Sequence, residues 1–343
     1  MLMSVTLKQI ADVAGLSVSA VSQIINRREC NFCSEARKEE VLHIASRLGY
    51  KQKFADKIKR GDQTHTVAIL KRNNLTMEAN NLIMLMLNKF ESIGFSSYVV
   101  NFDRNCDPLP RVRDLIDRGV ENFVLMAPIW GGNAEDEKKK YQELTSLIKN
   151  NKRNYVCYGS GTDRYVMQDF SSAVRATVEF FQKNGAGNFK MLLPDTGSNR
   201  ETALCSSFPD LSADEVREKY VYAVDEVYSL DTIDDLVRRG YCETEKLLAQ
   251  FPDIKGIYYL SDQLALGGIR YLTGRGIVPG KDILIAGFND FPGARYCGYP
   301  ISTAAHDLEA LASALVAESG KSEPCQITVA PKIILRKECC KIV

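Results

Sequence analysis

The chain contains no run of 18 apolar residues, the length at which a membrane helix becomes a candidate. Its opening, MLMSVTLKQIADVAG, lacks the apolar core of a secretory signal. Both absences predict a cytoplasmic protein without membrane contact. Histidine is scarce: His43, His65 and His306 are the three present, too scattered for a catalytic base constellation. No G-x-S-x-G elbow occurs, since Gly159-Ser160-Gly161 has the wrong spacing. Gly276 to Lys281 is too short for a phosphate loop and runs into Asp282 instead of Ser or Thr. These gaps argue against an enzyme. The ten cysteines do not fill them. Cys30-Asn-Phe-Cys33 is the one C-x-x-C pair, and Cys339-Cys340 is vicinal, whereas a structural zinc needs four ligands. Without an export signal they read as reduced thiols, so neither metal nor cofactor is expected.

What is present begins at residues 6–26, TLKQIADVAGLSVSAVSQIIN. Ala11, Gly15 and Val21 have the spacing of two short helices around a tight turn. A small residue at Ala11 admits the second helix, Gly15 takes the turn conformation, and Val21 fills the gap. Thr6 and Gln9 form a T-x-x-Q capping box, and Ser17 is a good N-cap for the second helix. Such a second helix fits the DNA major groove. Residues 1–61 hold eleven Lys/Arg against six Asp/Glu, a net of +5. The remainder holds thirty-three against thirty-seven, a net of −4. A basic head on a mildly acidic body suits a phosphate-binding module joined to something else. A third helix is predicted from Ser34 to Leu48, with Val41, Leu42, Ala45 and Leu48 facing the core.

The segment YKQKFADKIKRGDQTHT reads as a basic linker, with a short helix at about 54–59. After it, short apolar strands such as VAIL, FVLM and NYVCY alternate with helical patterns, and from about residue 160 a second such series runs to DILIAGF. The alternation predicts parallel sheets covered by helices on both faces. The fold class is thus an all-α helix-turn-helix head (1–50), a linker (51–64) and a two-lobed, doubly wound α/β body (65–343). Ligands bind such bodies at the carboxyl ends of strands.

The opening motif, SEARKEEVLHIASRLGY, the segment GIYYLSDQLALGGIRYLTGRGIVPGKDILIAGFND and the closing PKIILRKEC together resemble the LacI/GalR transcription regulators over nearly the whole chain. The resemblance implies a sequence-specific repressor that binds double-stranded operator DNA as a homodimer. It also implies a periplasmic-binding-protein-like body whose cleft takes a small effector. The chain would cross between lobes near 160, 291 and 323, giving lobe 1 as 65–160 and 291–322 and lobe 2 as 161–290 and 323–343. Dimer contact would centre on helix 77–93 with its run LIMLMLN. The DNA-contacting set is Thr6, Ser17, Val18, Ser19, Ser22, Gln23, Asn26 and Ile58. Gln23 can bond adenine bidentately and Val18 can meet a thymine methyl. Ile58 matches the family's minor-groove wedge.

The effector set implied is Arg72, Arg200, Ser261, Asp262 and Asn289. Arg200 matches the family arginine that clamps hydroxyls or carboxylates. Asn289 replaces an acidic contact, and Phe170 stands where Asn is usual. Fewer acceptors and an extra arginine point to an anion or to no effector, with a sugar or sugar derivative as the alternative. Arg72 and Arg200 are expected to face each other, with Asp195 or Asp169 as competing local partners. The rival reading of the whole chain is a cytoplasmic solute-binding or sensor protein with weak or no regulated DNA binding. Salt-dependent retention on DNA separates the two.

Overall fold

The computed structural model describes residues 5–25, 33–50, 63–73, 77–103, 106–127, 134–194, 199–224 and 232–337. Asn26, Cys30, the linker residues 51–62 with Ile58, Asp195, Cys339 and Cys340 lie outside them. The chain divides into two units, 1–64 and 65–343.

In the first unit, α1 (Leu7–Ala14), α2 (Val18–Ile25) and α3 (Glu35–Arg47) enclose a small core of Ile10, Ala11, Ala14, Val21, Ile24, Ile25, Val41, Ile44 and Ala45. Thr6 caps α1 in a full capping box with Gln9. Gly15 is left-handed at φ 61° and donates its N–H to Ala11 O, closing the helix. Ser34 caps α3, and the Arg37 guanidinium reaches 2.6 Å to Ala14 O, tying α3 to the end of α1. Leu42, expected inside, is instead 42% exposed, and Ile44 is buried. At helical pitch, positions 41, 44, 45 and 48 share one stripe, and 42 falls beside it.

The second unit holds two six-stranded sheets. The first comprises β1 (Thr66–Arg72), β2 (Ser96–Phe102), β3 (Asn122–Met126), β4 (Asn154–Tyr158), β5 (Arg164–Gln168) and β11 (Cys325–Val329), in the order β11-β5-β4-β3-β1-β2. The second comprises β6 (Phe189–Pro194), β7 (Val221–Val224), β8 (Gly256–Tyr258), β9 (Leu284–Ala286), β10 (Ile301–Ala305) and β12 (Lys332–Ile334), in the order β12-β10-β9-β8-β6-β7. Every pairing is parallel except β10 with β12.

Strand alternation explains the unbroken apolar runs. Along β1, Ala68 and Leu70 enter one core while Val67 and Ile69 enter another on the opposite sheet face. A parallel strand covered on both sides needs apolar residues at every position. Each such fully buried Val, Ile or Leu contributes about 1.5–3 kcal/mol. The covering helices of lobe 1 include α4 (Met77–Ser92), α5 (Leu109–Asp117) and α6 (Ala134–Asn150), with α13 (Leu308–Ser319) from later in the chain. Those of lobe 2 include α7 (Phe170–Lys183), α8 (Asn199–Ser206), α9 (Ala213–Tyr220), α10 (Ile233–Gln250), α11 (Asp262–Gly274) and α12 (Pro292–Tyr296).

The lobe boundaries differ from those read in the sequence. β5 belongs to the first sheet although 161–290 was assigned to lobe 2. β10 belongs to the second sheet although 291–322 was assigned to lobe 1, and β11 returns to the first. The crossings therefore fall at about 169, 306 and 330, after each strand has paired. β5, β10 and β11 are five-residue strands whose membership is set by hydrogen-bonding partners far away in sequence, which local patterning does not encode.

Helices α10 and α11 approach with backbones in contact. A Cβ built on Gly240 would lie 2.0 Å from Leu264 O, and one on Gly267 1.9 Å from Val237 O. Only glycine permits this packing, which seats the start of α11 beside the crossovers.

Candidate functional site

The outer face of α2 is open. Thr6, Ser17, Val18 and Ser19 are exposed, and Ser22 and Gln23 are half-buried at the edge of the core formed by Val21, Ile24 and Ile25. Ser17 Oγ accepts the Ala20 amide at 3.1 Å, so this hydroxyl starts the helix. Val18 is 46% exposed on a helix whose inward positions are otherwise apolar. The face therefore presents an apolar side chain, hydroxyls and an amide.

In the body, Arg200 opens α8 and lies beside the aromatic pair Phe170 and Phe288. Its guanidinium carbon sits 4.5 Å from the Phe288 ring centre and 4.9 Å from that of Phe170. Nη1 donates to Leu260 O at 2.6 Å. Arg200 makes no ion pair among the described residues. Its charge reaches both lobes. Burial pushes the Tyr158 phenol at the end of β4 up to about 12, with Glu78 acting the same way and Arg200 opposing. Burial first and then Arg200 drive the His306 imidazole down to about 4, so His306 is neutral near pH 7.

His306 stands at the second crossover. Nδ1 lies 3.1 Å from Gln168 Oε1 and Nε2 lies 3.1 Å from Asn289 Oδ1. Gln168 in turn donates its amide to Val329 O at 2.6 Å, and the Asp169 amide donates to the same carbonyl at 2.8 Å. The three crossovers are thus knotted through one histidine and one glutamine. Asn289 holds a positive φ of 98°, followed by Asp290 at 51°. Burial alone would raise the Asp290 carboxyl, but Arg295 and Arg336 grip it and together hold it below the ordinary carboxylate range. Beside this group opens a cleft of about 870 Å³, lined among others by Tyr158, Gly159, Ser160, Gln168, Phe170 and Asn199.

Comparison with known proteins bears on both units. A family model described as a periplasmic binding protein-like domain matches residues 178–336. The chain is 26% identical to the HTH-type transcriptional regulator GalR of Streptococcus thermophilus, covering 87% of this chain and 86% of that protein. It is 19% identical to the HTH-type transcriptional repressor PurR of Histophilus somni, over 97% and 98%. Among solved structures, the Lac repressor dimer bound to operator and the anti-inducer ONPF matches with a TM-score of 0.73, at 17% identity, over 98% and 99%. The chain is thus similar over nearly its whole length to regulators of the LacI/GalR kind, and its fold is that of the Lac repressor.

Measured against what the resemblance to the LacI/GalR regulators implied, the five effector residues separate. Arg200 and Asn289 both join the group at the crossovers, linked through His306. Ser261 is half-buried and spends its hydroxyl as the N-cap of α11, accepting the Leu264 amide at 3.3 Å. Asp262 is turned into lobe 2. It is fully buried, and its Oδ2 accepts from the Phe291 amide at 2.8 Å and the Thr303 hydroxyl at 3.0 Å. Its Oδ1 is packed beneath Gly287, where a Cβ would come within 2.2 Å. Burial raises its carboxyl to about 7. Asp262 therefore braces the 287–291 loop. Arg72 is half-buried at the end of β1, but of the two arginines it is Arg200 whose charge acts on Tyr158, Tyr258 and His306. Asp169 caps α7 through the Ser171 and Ser172 amides.

Sequence reading missed His306, Gln168 and Tyr158 and noted Phe170 only as a departure. A lone histidine carries no local signature. The one available signal was that Phe170 removes a polar group from a position that faces an arginine.

Proposed function

We propose that this protein is a sequence-specific transcriptional repressor whose operator affinity is set by a small molecule held between the lobes. The observation that carries the reading is the open face of α2, with Val18, Ser19, Ser22 and Gln23 outward on a fully capped helix-turn-helix. Thr6 and Ser17 add hydroxyls at the helix starts, where phosphates are bound. Asn26 and the wedge Ile58 complete the proposed DNA set. Support also comes from the relatives, which are named as regulators and repressors. Selection of bound sequences from random DNA tests it. A near-palindromic consensus with steep salt dependence is the expected result. No enriched sequence, or retention indifferent to salt, would instead favour a solute-binding or sensor protein.

The protein acts as a homodimer in this reading, so that two heads meet two half-sites. Lobe 1 exposes Met84 on α4 and Tyr98 and Val99 on the edge strand β2, while Leu82, Ile83 and Met86 of the same apolar run are buried.

The effector carries a carboxylate or phosphate beside Arg200. A guanidinium lying against two rings, without an acidic partner among the described residues and next to a neutral imidazole, is a cation awaiting an anion. A sugar is the second reading, favoured by solved relatives described with cellobiose and with glucose. Thermal-shift screening with both classes separates them.

A further inference from the structure

A second polar cavity, of about 530 Å³, opens at the amino ends of β4 and β5, sharing Asp163 with the wall of the cleft that reaches their carboxyl ends. Lys149, Lys152, Arg153, Arg164 and Lys321 line it, with Asp163 the one acid in its wall. Asp163 is engaged by Lys149 at 2.8 Å and by the Tyr155 hydroxyl, and Lys321 is engaged by Glu318 at 2.6 Å. Lys152 and Arg153 make no ion pair among the described residues.

The floor is built from guanidinium groups. Arg164 is 1% exposed, donating Nε to Tyr155 O and Nη2 to Glu318 O, each at 2.8 Å, with the Glu318 carboxylate 3.5 Å from Nη2. Its Nη1 is buried without a hydrogen-bond partner, and so is Nε of Arg153. Buried charged donors are ordinarily satisfied, so two unpaired ones in the wall of one cavity leave its positive charge under-compensated. The carbonyls at the end of α6 neither compensate it nor repel an anion. Ile148 O takes the amides of Asn151 and Arg153, and Lys149 O takes that of Lys152.

We infer that this cavity is an anion site for the phosphoryl group of a small molecule, separate from the inter-lobe cleft. A tetrahedral phosphate offers three or four acceptors, matching guanidinium and ammonium donors that converge from α6, the 151–153 turn, β5 and the segment after α13. A planar carboxylate would leave some of them unmet.

Calorimetric titration of the full chain with pyrophosphate, in metal-free buffer, is the test. Saturable binding is expected, weakened about tenfold or more by Lys152→Ala with Arg153→Gln and unchanged by Arg200→Ala. Lys152 is exposed and Arg153 half-buried, so unchanged melting of that variant is the folding control, and Arg164 is left intact. Absence of saturable binding at millimolar pyrophosphate overturns the proposal. Loss in Arg200→Ala with retention in the double variant puts the anion in the cleft and also overturns it. Displacement of pyrophosphate by random-sequence duplex DNA, with loss of both in the double variant, makes the occupant nucleic-acid phosphate and refutes the small-molecule assignment. Failure here leaves the operator-binding reading untouched, because that rests on α2.

Discussion

His306 Nδ1 and Gln168 Oε1 lie 3.1 Å apart and join two of the three chain crossovers. The orientation of the Gln168 amide is settled by its donation to Val329 O, so Oε1 faces the imidazole. A neutral histidine has one N–H, and here it must sit on Nδ1. Nε2 then carries no hydrogen for Asn289 Oδ1, 3.1 Å away, and that contact becomes a hydrogen bond only with the Asn289 amide flipped, its nitrogen toward the ring. A chain of directed hydrogen bonds thus runs from Val329 through Gln168 to His306, beside Arg200.

This arrangement sets a pH dependence. His306 is lowered from 6.5 to about 4 in the folded state. Its contribution to stability is present above about pH 6.5 and is lost as pH falls toward 4, by up to about 3 kcal/mol. Asp262 has the opposite sign. Raised from 3.8 to about 7, it contributes stability below its unfolded value that is lost as pH rises through 7. The two slopes oppose each other between pH 4 and 6.5. Relative to the unaltered chain, His306→Gln should gain stability on acidification over that window, and Asp262→Asn should lose it. Denaturant unfolding at stepped pH checks both directions, and equal slopes in all three proteins would contradict the assignment.

At the head, Gln23→Ala should cost about 1–3 kcal/mol on the preferred operator and relax specificity at one base pair. Binding to operators substituted singly at each position reads this out. A uniform loss across all positions would mean that Gln23 contacts phosphate and not a base.

In the cleft, an anionic ligand found by thermal shift should lose its stabilisation in Arg200→Ala. Arg200→Lys should restore little of it, because an ammonium reproduces neither the fork nor the contact with Phe170 and Phe288. Retention of the shift in both variants would leave Arg200 without a ligand role.

Between α10 and α11, Gly267→Ala should destabilise by about 1–3 kcal/mol or more, since the new methyl meets Val237 O. Gly274→Ala is the contrast. Its Cβ has nothing within 4 Å, so the variant should be neutral or more stable by about 0.4–1 kcal/mol. Melting curves of the two proteins give the comparison directly.

For assembly, sedimentation at micromolar concentration should show a dimer. Met84→Glu, which places a charge on the exposed side of α4, should shift it toward monomer and weaken operator binding together. A monomer with unchanged operator affinity would count against the homodimer.

The head and the alternating body were legible from residues alone because their determinants are local. The Thr6–Gln9 box, the Gly15 turn, the Val21 plug and the unbroken apolar strands such as 67–70 each act within a few residues of themselves. Arg200 and Asn289 were named by resemblance over the motifs around them, and the structure brings both beside His306. What the tertiary structure decided was everything that depends on partners distant in sequence. β5, β10 and β11 joined sheets other than those expected, because a five-residue strand is assigned by whichever edge its hydrogen bonds meet. Asp262, read as a ligand contact, became a buried brace once Thr303 and Phe291 closed over it. His306 gained its role from Gln168, 138 positions earlier, and its neutrality from burial beside Arg200. A side chain's chemistry is written in its identity, but its protonation and its neighbours exist only after the chain has folded.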